Sequence, residues 1–199
     1  MKWFVSESFD VFYNLALEEY LCRTVTDDDC FILWTNDDSV VIGRNQNIFE
    51  EVNVDDAAAD GISLARRNSG GGAVFHDKGN INFSIISTFD ENALNSYDEF
   101  LDPVIDMLHS LHVPAPKRNK SDIAILDNKI SGNAQIIKGE RLIHHGTLLF
   151  DADLKKLKKY LKSDSSSYSS KSTKSVKSRV TNIRDSVDMT TEEFRNYLI

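Results

Sequence analysis

The sharpest chemical feature of the sequence is the run Arg66-Arg67-Asn68-Ser69-Gly70-Gly71-Gly72-Ala73-Val74-Phe75-His76-Asp77. Three adjacent glycines free the backbone to turn its N–H groups toward an anion, and the flanking arginines add charge. Cradling of a phosphate or an adenylate is the chemistry this suits. A bare glycine triplet more often makes a hairpin or bulge, and the arginines before it shift the balance toward an anion site. Two common phosphate motifs are absent. G-x-x-x-x-G-K-[ST] does not occur, and Gly70-x-Gly72-x-x-Phe75 lacks the third glycine of a dinucleotide fingerprint and is followed by a strand pattern.

A second candidate is Asp127-Asn128-Lys129-Ile130-Ser131-Gly132-Asn133-Ala134. A lysine at a strand start, beside small polar residues, can meet a phosphate or carboxylate as a point charge. Taken alone it reads as an exposed turn lysine, the commonest use of the residue. His144 and His145 are adjacent in a strand pattern, so their side chains point to opposite faces and cannot easily share a metal. His109 and His112 fall in a helix pattern elsewhere, and no Cys/His cluster has zinc spacing. A metal site made of protein ligands alone is not expected. No G-x-S-x-G occurs, and neither Cys22 nor Cys30 neighbours the glycine loop, so covalent catalysis by cysteine has little support.

These residues need a scaffold. Asp10, followed by Phe12, Leu15, Ala16 and Tyr20, reads as the cap and face of a helix of about three turns. Phe31–Trp34 and Ser39–Gly43, split by Asn36-Asp37-Asp38, predict a β-hairpin. Ile62–Ala65, Ala73–Phe75 and Ile81–Ile86 predict strands on either side of the glycine loop. Tyr97 to Leu111 keeps a helical period with Pro103 inside it, so the helix either starts at Pro103 with Asp102 as cap or is kinked there. Ile123–Leu126, Lys129–Ser131 and Leu142–Phe150 predict further strands, with Asp127-Asn128 as a turn. Leu154, Leu157, Tyr160 and Leu161 mark a short helix bearing Lys155, Lys156, Lys158 and Lys159. Lys162–Ser178 holds nine serines and four lysines in seventeen residues, too polar to bury, and predicts a mobile loop. Thr190-x-x-Glu193 is a capping box opening a last helix that reaches only Ile199.

Composition sets outer bounds. With 23 Lys+Arg against 31 Asp+Glu the formal net charge is −8, which opposes a nucleic-acid binder built on counterion release. No apolar run approaches a membrane span, no signal peptide is expected at the start, and two cysteines are too few for a disulfide framework. A soluble, reduced, cytoplasmic protein is expected.

The glycine run with Gly79-Asn80 resembles the signature of lipoate–protein ligases. The resemblance extends through Asn14–Glu19, Val40–Asn47, Lys129–Ala134, His144–Leu149 and Ser175–Asn182, blocks in family order over nearly the whole chain. It implies an α/β (α+β) fold with a mixed β-sheet flanked by helices, of the kind shared with biotin–protein ligases. Residues 1–199 would form the catalytic large domain, and the small C-terminal accessory domain of many members would be absent, supplied if at all by a separate subunit. It also implies a two-step reaction. Lipoate attacks the α-phosphate of ATP, with Mg²⁺, to give lipoyl-AMP and pyrophosphate; a lysine of an acceptor lipoyl domain then takes the acyl group and AMP leaves. The acceptors implied are 2-oxoacid dehydrogenase E2 subunits and the glycine cleavage H protein.

Carried over residue by residue, the resemblance makes Lys129 the catalytic electrostatic residue. Arg67, Gly72, Ala73, Val74, Phe75, His76, Lys129 and Asp122 would bind ATP or the adenylate; Arg67, Ser69, Lys129, Ala134 and His145 would bind lipoate. The segment Ser163–Ser178 falls where the family has a loop that covers the adenylate, and closure there would exclude water. Two departures stand out: Asn119-Lys120-Ser121-Asp122 holds two extra residues where many relatives have Asn directly before Asp, and Gln135-Ile136 replaces a frequent aromatic and arginine. Two other readings remain open, an octanoyl or lipoyl transferase acting between carrier proteins through a cysteine, and a binder of lipoyl domains without catalysis. The lysine-rich helix is a candidate docking face for an acidic acceptor, against the plainer reading of a solvated face.

Overall fold

The computed structural model describes residues 1–90, 96–162, 171–176 and 178–199. In chain order its elements are β1 (Lys2–Val5), α1 (Val11–Thr24), β2 (Cys30–Thr35), β3 (Ser39–Ile42), α2 (Ile48–Glu51), α3 (Val54–Ala59), β4 (Ser63–Arg66), β5 (Val74–His76) and β6 (Asn80–Thr88). Then come α4 (Asp98–Ser110), β7 (Asp122–Ile125), β8 (Asn128–Lys138), β9 (Arg141–Leu149), α5 (Leu154–Tyr160), a 3₁₀ turn at Ile183–Ser186, and α6 (Thr191–Tyr197). The strands form a six-stranded mixed sheet, β1-β2-β6-β9-β8-β7, and a three-stranded sheet, β4-β3-β5.

The β2–β3 hairpin expected from sequence does not form. β2 pairs with β1 and β6, whereas β3 pairs with β4 and β5 in the other sheet. Both strands are apolar on nearly every residue and buried on both faces, and each is an interior strand of its own sheet. The connection between them runs through Asn36, which is fully buried and bonds to Asn14 and His76. α4 begins at Asp98, so of the two expected arrangements Pro103 lies inside the helix and not at its start. The cost is one missing backbone bond in a helix held by buried Phe100, Leu101 and Leu108. The turn between β7 and β8 is Leu126-Asp127, both with positive φ (45° and 67°), one residue before the expected turn. Such mirror-image turns suit the twist of a tight hairpin.

Strand alternation assigns each face of the large sheet a job. One face carries Leu33, Ile81, Phe83 and Leu148, which pack with Leu101 and Leu108 of α4 and with Phe194 of α6. Phe194 is fully buried and stacks on Phe150 at 4.3 Å, and the Thr190–Glu193 capping box opens its helix as expected. The opposite face carries Cys30, Ile32, Trp34, Ile86 and Ile143 against α1. The small sheet is also two-sided: Val40, Ile42 and Phe75 pack toward α3 and α5, while Val41, Ala65 and Val74 meet Val11 and Leu15 of α1. α1 therefore touches both sheets, and a cavity opens beside it.

Candidate active site

The cavity has a volume of about 440 Å³, within the range of small-molecule sites. Its apolar side is Leu15, Trp34, Val41 and Val74; its polar side holds Arg67, Asp122 and Lys129 with the glycine loop. Gly132, Ala134 and His145 also line it. Strand register places several of the sequence-predicted residues. Ala134 pairs with His145, His145 with Ser84, and Gly132 with Asp122, so all lie on the α1 side of the large sheet.

Lys129 joins that face through a β-bulge. Residues 129 and 132 are an odd number apart and would point to opposite faces of a regular strand. The β7–β8 register pairs Ile123 with Ser131 and Ala124 with Lys129, skipping Ile130, and this brings Lys129 onto the side of Gly132. Its chain crosses Gly132 so closely that a Cβ there would lie 2.6 Å from Nζ. Nζ reaches Asp122 Oδ1 at 2.9 Å. Asn119 donates from Nδ2 to Asp122 Oδ2 and accepts from the Ser121 and Asp122 N–H groups, each at 2.9 Å. The two extra residues thus fold into a turn that keeps Asn119 against Asp122.

Arg67 organises the glycine loop from within. Nη2 donates to the carbonyls of Gly70 and Gly72 at 2.7 Å, Nε to Ser69 Oγ at 3.1 Å, and Nη1 to Val41 O at 3.2 Å. Gly71 turns with φ 91°, a conformation L side chains rarely adopt. Burial lowers the Arg67 pKa to about 10, so the guanidinium stays charged at neutral pH. Ala73 N–H, at the end of the loop, donates to Ser175 Oγ at 2.9 Å, and Gln46 Nε2 donates to the same oxygen at 3.0 Å. Thr173, Lys174, Ser175 and Val176 line the cavity, so this part of the serine-rich segment lies over the glycine loop; residues 163–170 and 177 are outside the described residues.

His145 and His144 face opposite ways, as adjacent strand residues must. His145 Nδ1 lies 2.8 Å from Glu18 Oε1, and Nε2 lies 2.6 Å from Ser69 Oγ. Ser84 Oγ donates to Glu18 Oε1 at 2.6 Å and accepts from Trp34 Nε1 at 3.1 Å. Burial pushes the Glu18 carboxyl up, but His145, Ser84 and Arg67 outweigh it and leave its pKa below the ordinary value. His144 is stacked between Phe83 and Phe100 on the α4 side. Burial, then the charge of His145, lowers its pKa to about 3.

Not every predicted residue reaches the cavity. Phe75 points the other way, packing its ring on Tyr160 at 5.6 Å, because it alternates with Val74 and His76. Ser69 is buried behind the wall, bonded to Arg67 and His145, both of which line it. His76 does line it, but its Nδ1 is tied to Asn36 at 3.0 Å, and burial, followed by Arg67 and His145, lowers its pKa to about 3. His112 lies past the end of α4 in a left-handed conformation. Sequence reasoning overlooked Glu18 and Trp34. Glu18 had a signal: with Val11, Asn14, Leu21 and Cys22 it makes the buried stripe of α1, where a carboxylate needs a partner.

Residues 10–199 match the family model described as the lipoyl protein ligase A/B catalytic domain. The Bacillus subtilis lipoate-protein ligase LplJ is 43% identical over 189 residues, covering 94% of this chain and 57% of that protein. A bipartite lipoate protein ligase from Thermoplasma acidophilum, whose structural study includes its E2 lipoyl domain, superposes with TM-score 0.84 at 29% identity, over 99% of this chain and 80% of that one. A lipoate-protein ligase A bound with ATP gives TM-score 0.81 at 30% identity, over 100% and 82% of the two chains. This chain spans 57–61% of the length of several curated relatives it matches. With a family model matched over nearly all its residues, the chain belongs to the lipoyl protein ligase A/B catalytic domain family.

Proposed function

We propose that residues 1–199 are the catalytic domain of a lipoate–protein ligase, which activates lipoate with ATP and transfers the lipoyl group to a lysine of an acceptor lipoyl domain. The observation that carries this reading is one cavity with an apolar side next to a cationic side. An acyl tail suits Leu15, Trp34, Val41 and Val74; a mixed anhydride suits Lys129, Arg67 and the glycine loop.

Both steps build negative charge on phosphate and carbonyl oxygens, and neither demands a protein nucleophile. Preorganised cations and N–H groups in a site shielded from water serve that purpose best. In this reading Lys129 lies at the join of carboxylate and α-phosphate as the catalytic charge. The loop from Gly72 to Phe75 wraps the nucleotide through its backbone, with His76 at its end. Ser69, Ala134 and His145 shape the acyl side. Arg67 holds the loop and adds charge. Asp122 is the one carboxylate lining the cavity among the described residues. Mg²⁺ would enter as a companion of the ATP phosphates, which supply most of its ligands; Asp122, whose oxygens meet Lys129 and Asn119, is the protein carboxylate nearest to hand. When bound, Mg²⁺ would neutralise phosphate charge.

The acceptors proposed are E2 subunits of 2-oxoacid dehydrogenases and the H protein. The lysine-rich α5 is a weak docking candidate, because Lys156 pairs with Asp38 at 2.5 Å and Lys159 pairs with Asp60. Reversing Lys155 and Lys158 should leave acceptor affinity and its salt dependence unchanged in a titration at two ionic strengths. Among the described residues, no helix is long and apolar enough to cross a membrane. A cysteine-dependent transferase is disfavoured: Cys22 and Cys30 are buried, neither lines this cavity, and burial pushes both thiols up.

The test is incubation with ATP, Mg²⁺, lipoate and a lipoyl domain, with a parallel reaction given preformed lipoyl-adenylate. The ligase reading expects acceptor mass to rise in both. A rise only with preformed adenylate would assign this chain the transfer step alone. No rise in either would leave a binder.

A further inference from the structure

The sequence blocks Val40–Asn47 and Ser175–Asn182 lie far apart in the chain and meet at Ser175. Its Oγ accepts from Ala73 N–H at 2.9 Å and from Gln46 Nε2 at 3.0 Å. Its own N–H donates to the two carboxylate oxygens of Glu51, at 3.2 and 3.3 Å. Beside it, Thr173 N–H donates to Asn45 O at 3.0 Å and Ser172 Oγ to Glu50 Oε2 at 2.5 Å. Residues 172–175 are thus seated on the turn after β3 and on α2. Gln46 and Glu51 are buried and neither lines the cavity, whereas Ser175 does. They reach the cavity through the segment they hold.

The seat is braced from below. Gln46 Oε1 accepts from Gly43 N–H at 2.9 Å. Arg66 Nη1 donates to the carbonyls of Gly43, Arg44 and Gln46 at 2.9, 3.2 and 2.8 Å. The two arginines of the run therefore divide the work: Arg67 holds the glycine loop, and Arg66 holds the turn that carries Gln46. Gly72 leaves the room that Ser175 takes, since a Cβ there would lie 2.9 Å from Ser175 Oγ. Further along, the chain is fixed by main-chain bonds instead. Val180 bridges Lys129, with Lys129 N–H donating to Arg179 O at 2.7 Å and Thr181 N–H to Lys129 O at 3.2 Å. Val176 is 87% exposed, so apolar packing of its side chain does not hold the segment down. A contact made of a few hydrogen bonds at the surface opens more readily than a packed element.

We propose, resting on the ligase reading, that Gln46 and Glu51 are positioning residues that latch Ser175 over the cavity and so retain the acyl-adenylate between its formation and its transfer. A mixed anhydride is lost if it departs or if water enters, so its residence in the cavity decides how much reaches the acceptor. The latch is closed with Ser175 Oγ on Ala73 N–H and Gln46 Nε2. It opens when that oxygen lets go, while the Lys129–Val180 bridge stays paired. Gln46 and Glu51 touch no reacting atom and act through Ser175.

The test loads the full chain with chemically made, radiolabelled lipoyl-adenylate and follows its release into an excess of unlabelled adenylate. Trypsin cutting after the exposed Lys174 is followed in parallel, because it needs the segment lifted off its seat. Ser175→Ala removes the oxygen that both donors share and should speed release by about tenfold; Gln46→Leu and Glu51→Leu should each speed it by about fivefold, the scale of one or two neutral hydrogen bonds. All three should speed cutting after Lys174, and bound adenylate should slow it in the unmutated chain. Because Gln46 acts through Ser175 Oγ, the double variant Gln46→Leu, Ser175→Ala should release no faster than Ser175→Ala alone. Additive effects in that pair, or unchanged release in the single variants, overturn the latch. Cutting that quickens when adenylate binds overturns it too, since Ser175 would then be a plug that the ligand displaces. An unmutated chain that binds no adenylate overturns the ligase reading itself, and the cutting rates of the same variants then decide by themselves whether Gln46 and Glu51 hold Ser175.

Discussion

Replacing Lys129 with methionine keeps the shape of the side chain and removes its charge, which separates catalysis from packing. Two effects follow from its surroundings. On the proposed reaction, the loss removes the preorganised cation that the ligase reading puts where phosphate and carbonyl charge develops, a change expected to cost about 10²–10³ in rate. On the fold, it leaves the Asp122 carboxylate, 9% exposed, with Asn119 as its remaining strong partner. Lys129 is itself 26% exposed, so water can take over part of its role. The destabilisation should therefore fall near about 1–2 kcal/mol, below the cost of breaking a fully buried pair. For a chain of this size that corresponds to a melting point lower by about 2–8 °C.

Adenylate formation measured by pyrophosphate release, beside a thermal melt, reads both effects. In the double variant Lys129→Met, Asp122→Asn, most of the stability should return, because the orphaned charge is gone, while the rate stays low. Activity of Lys129→Met within about threefold of the parent would refute the electrostatic role, being far below the 10²-fold scale. A rate restored along with stability in the double variant would refute it as well, since the loss would then come from packing.

Other consequences can be checked separately. Gly132→Ala places a methyl against the flexible end of Lys129, so the fold should persist with a melting point near that of the parent while adenylation falls about tenfold, the effect of misplacing a reacting group. His76 and His144 have pKa values lowered to about 3, so between their ordinary value and pH 3 the unfolded chain binds more protons and stability falls as the pH drops. Urea unfolding from pH 7 to 5 should show a loss of up to about 1.4 kcal/mol per pH unit for each histidine, and His144→Phe should remove its share of the slope. Phe194→Ala deletes a fully buried ring stacked on Phe150 and should cost about 3–5 kcal/mol in the same experiment at pH 7.

Local chemistry was legible in one dimension. The caps Asp10 and Thr190, the glycine loop beside its arginines, and the opposite facing of His144 and His145 all depend on neighbours within a few residues or on strand alternation, so spacing alone determined them. The family's motif blocks carried Lys129 and Arg67 without any geometry. What the tertiary structure decided is pairing and facing. Apolar runs such as Phe31–Trp34 and Ser39–Gly43 do not say which strands they join, and burial on both sides sent them to different sheets. The bulge at Ile130 that puts Lys129 over Gly132 is a one-residue shift in register, visible only against β7. Glu18 lies 127 residues from His145 and 66 from Ser84, and its buried carboxylate acquires a meaning only when the fold closes that distance. Spacing along a chain encodes local geometry, whereas contacts between distant segments are set by how all the apolar faces can be buried at once.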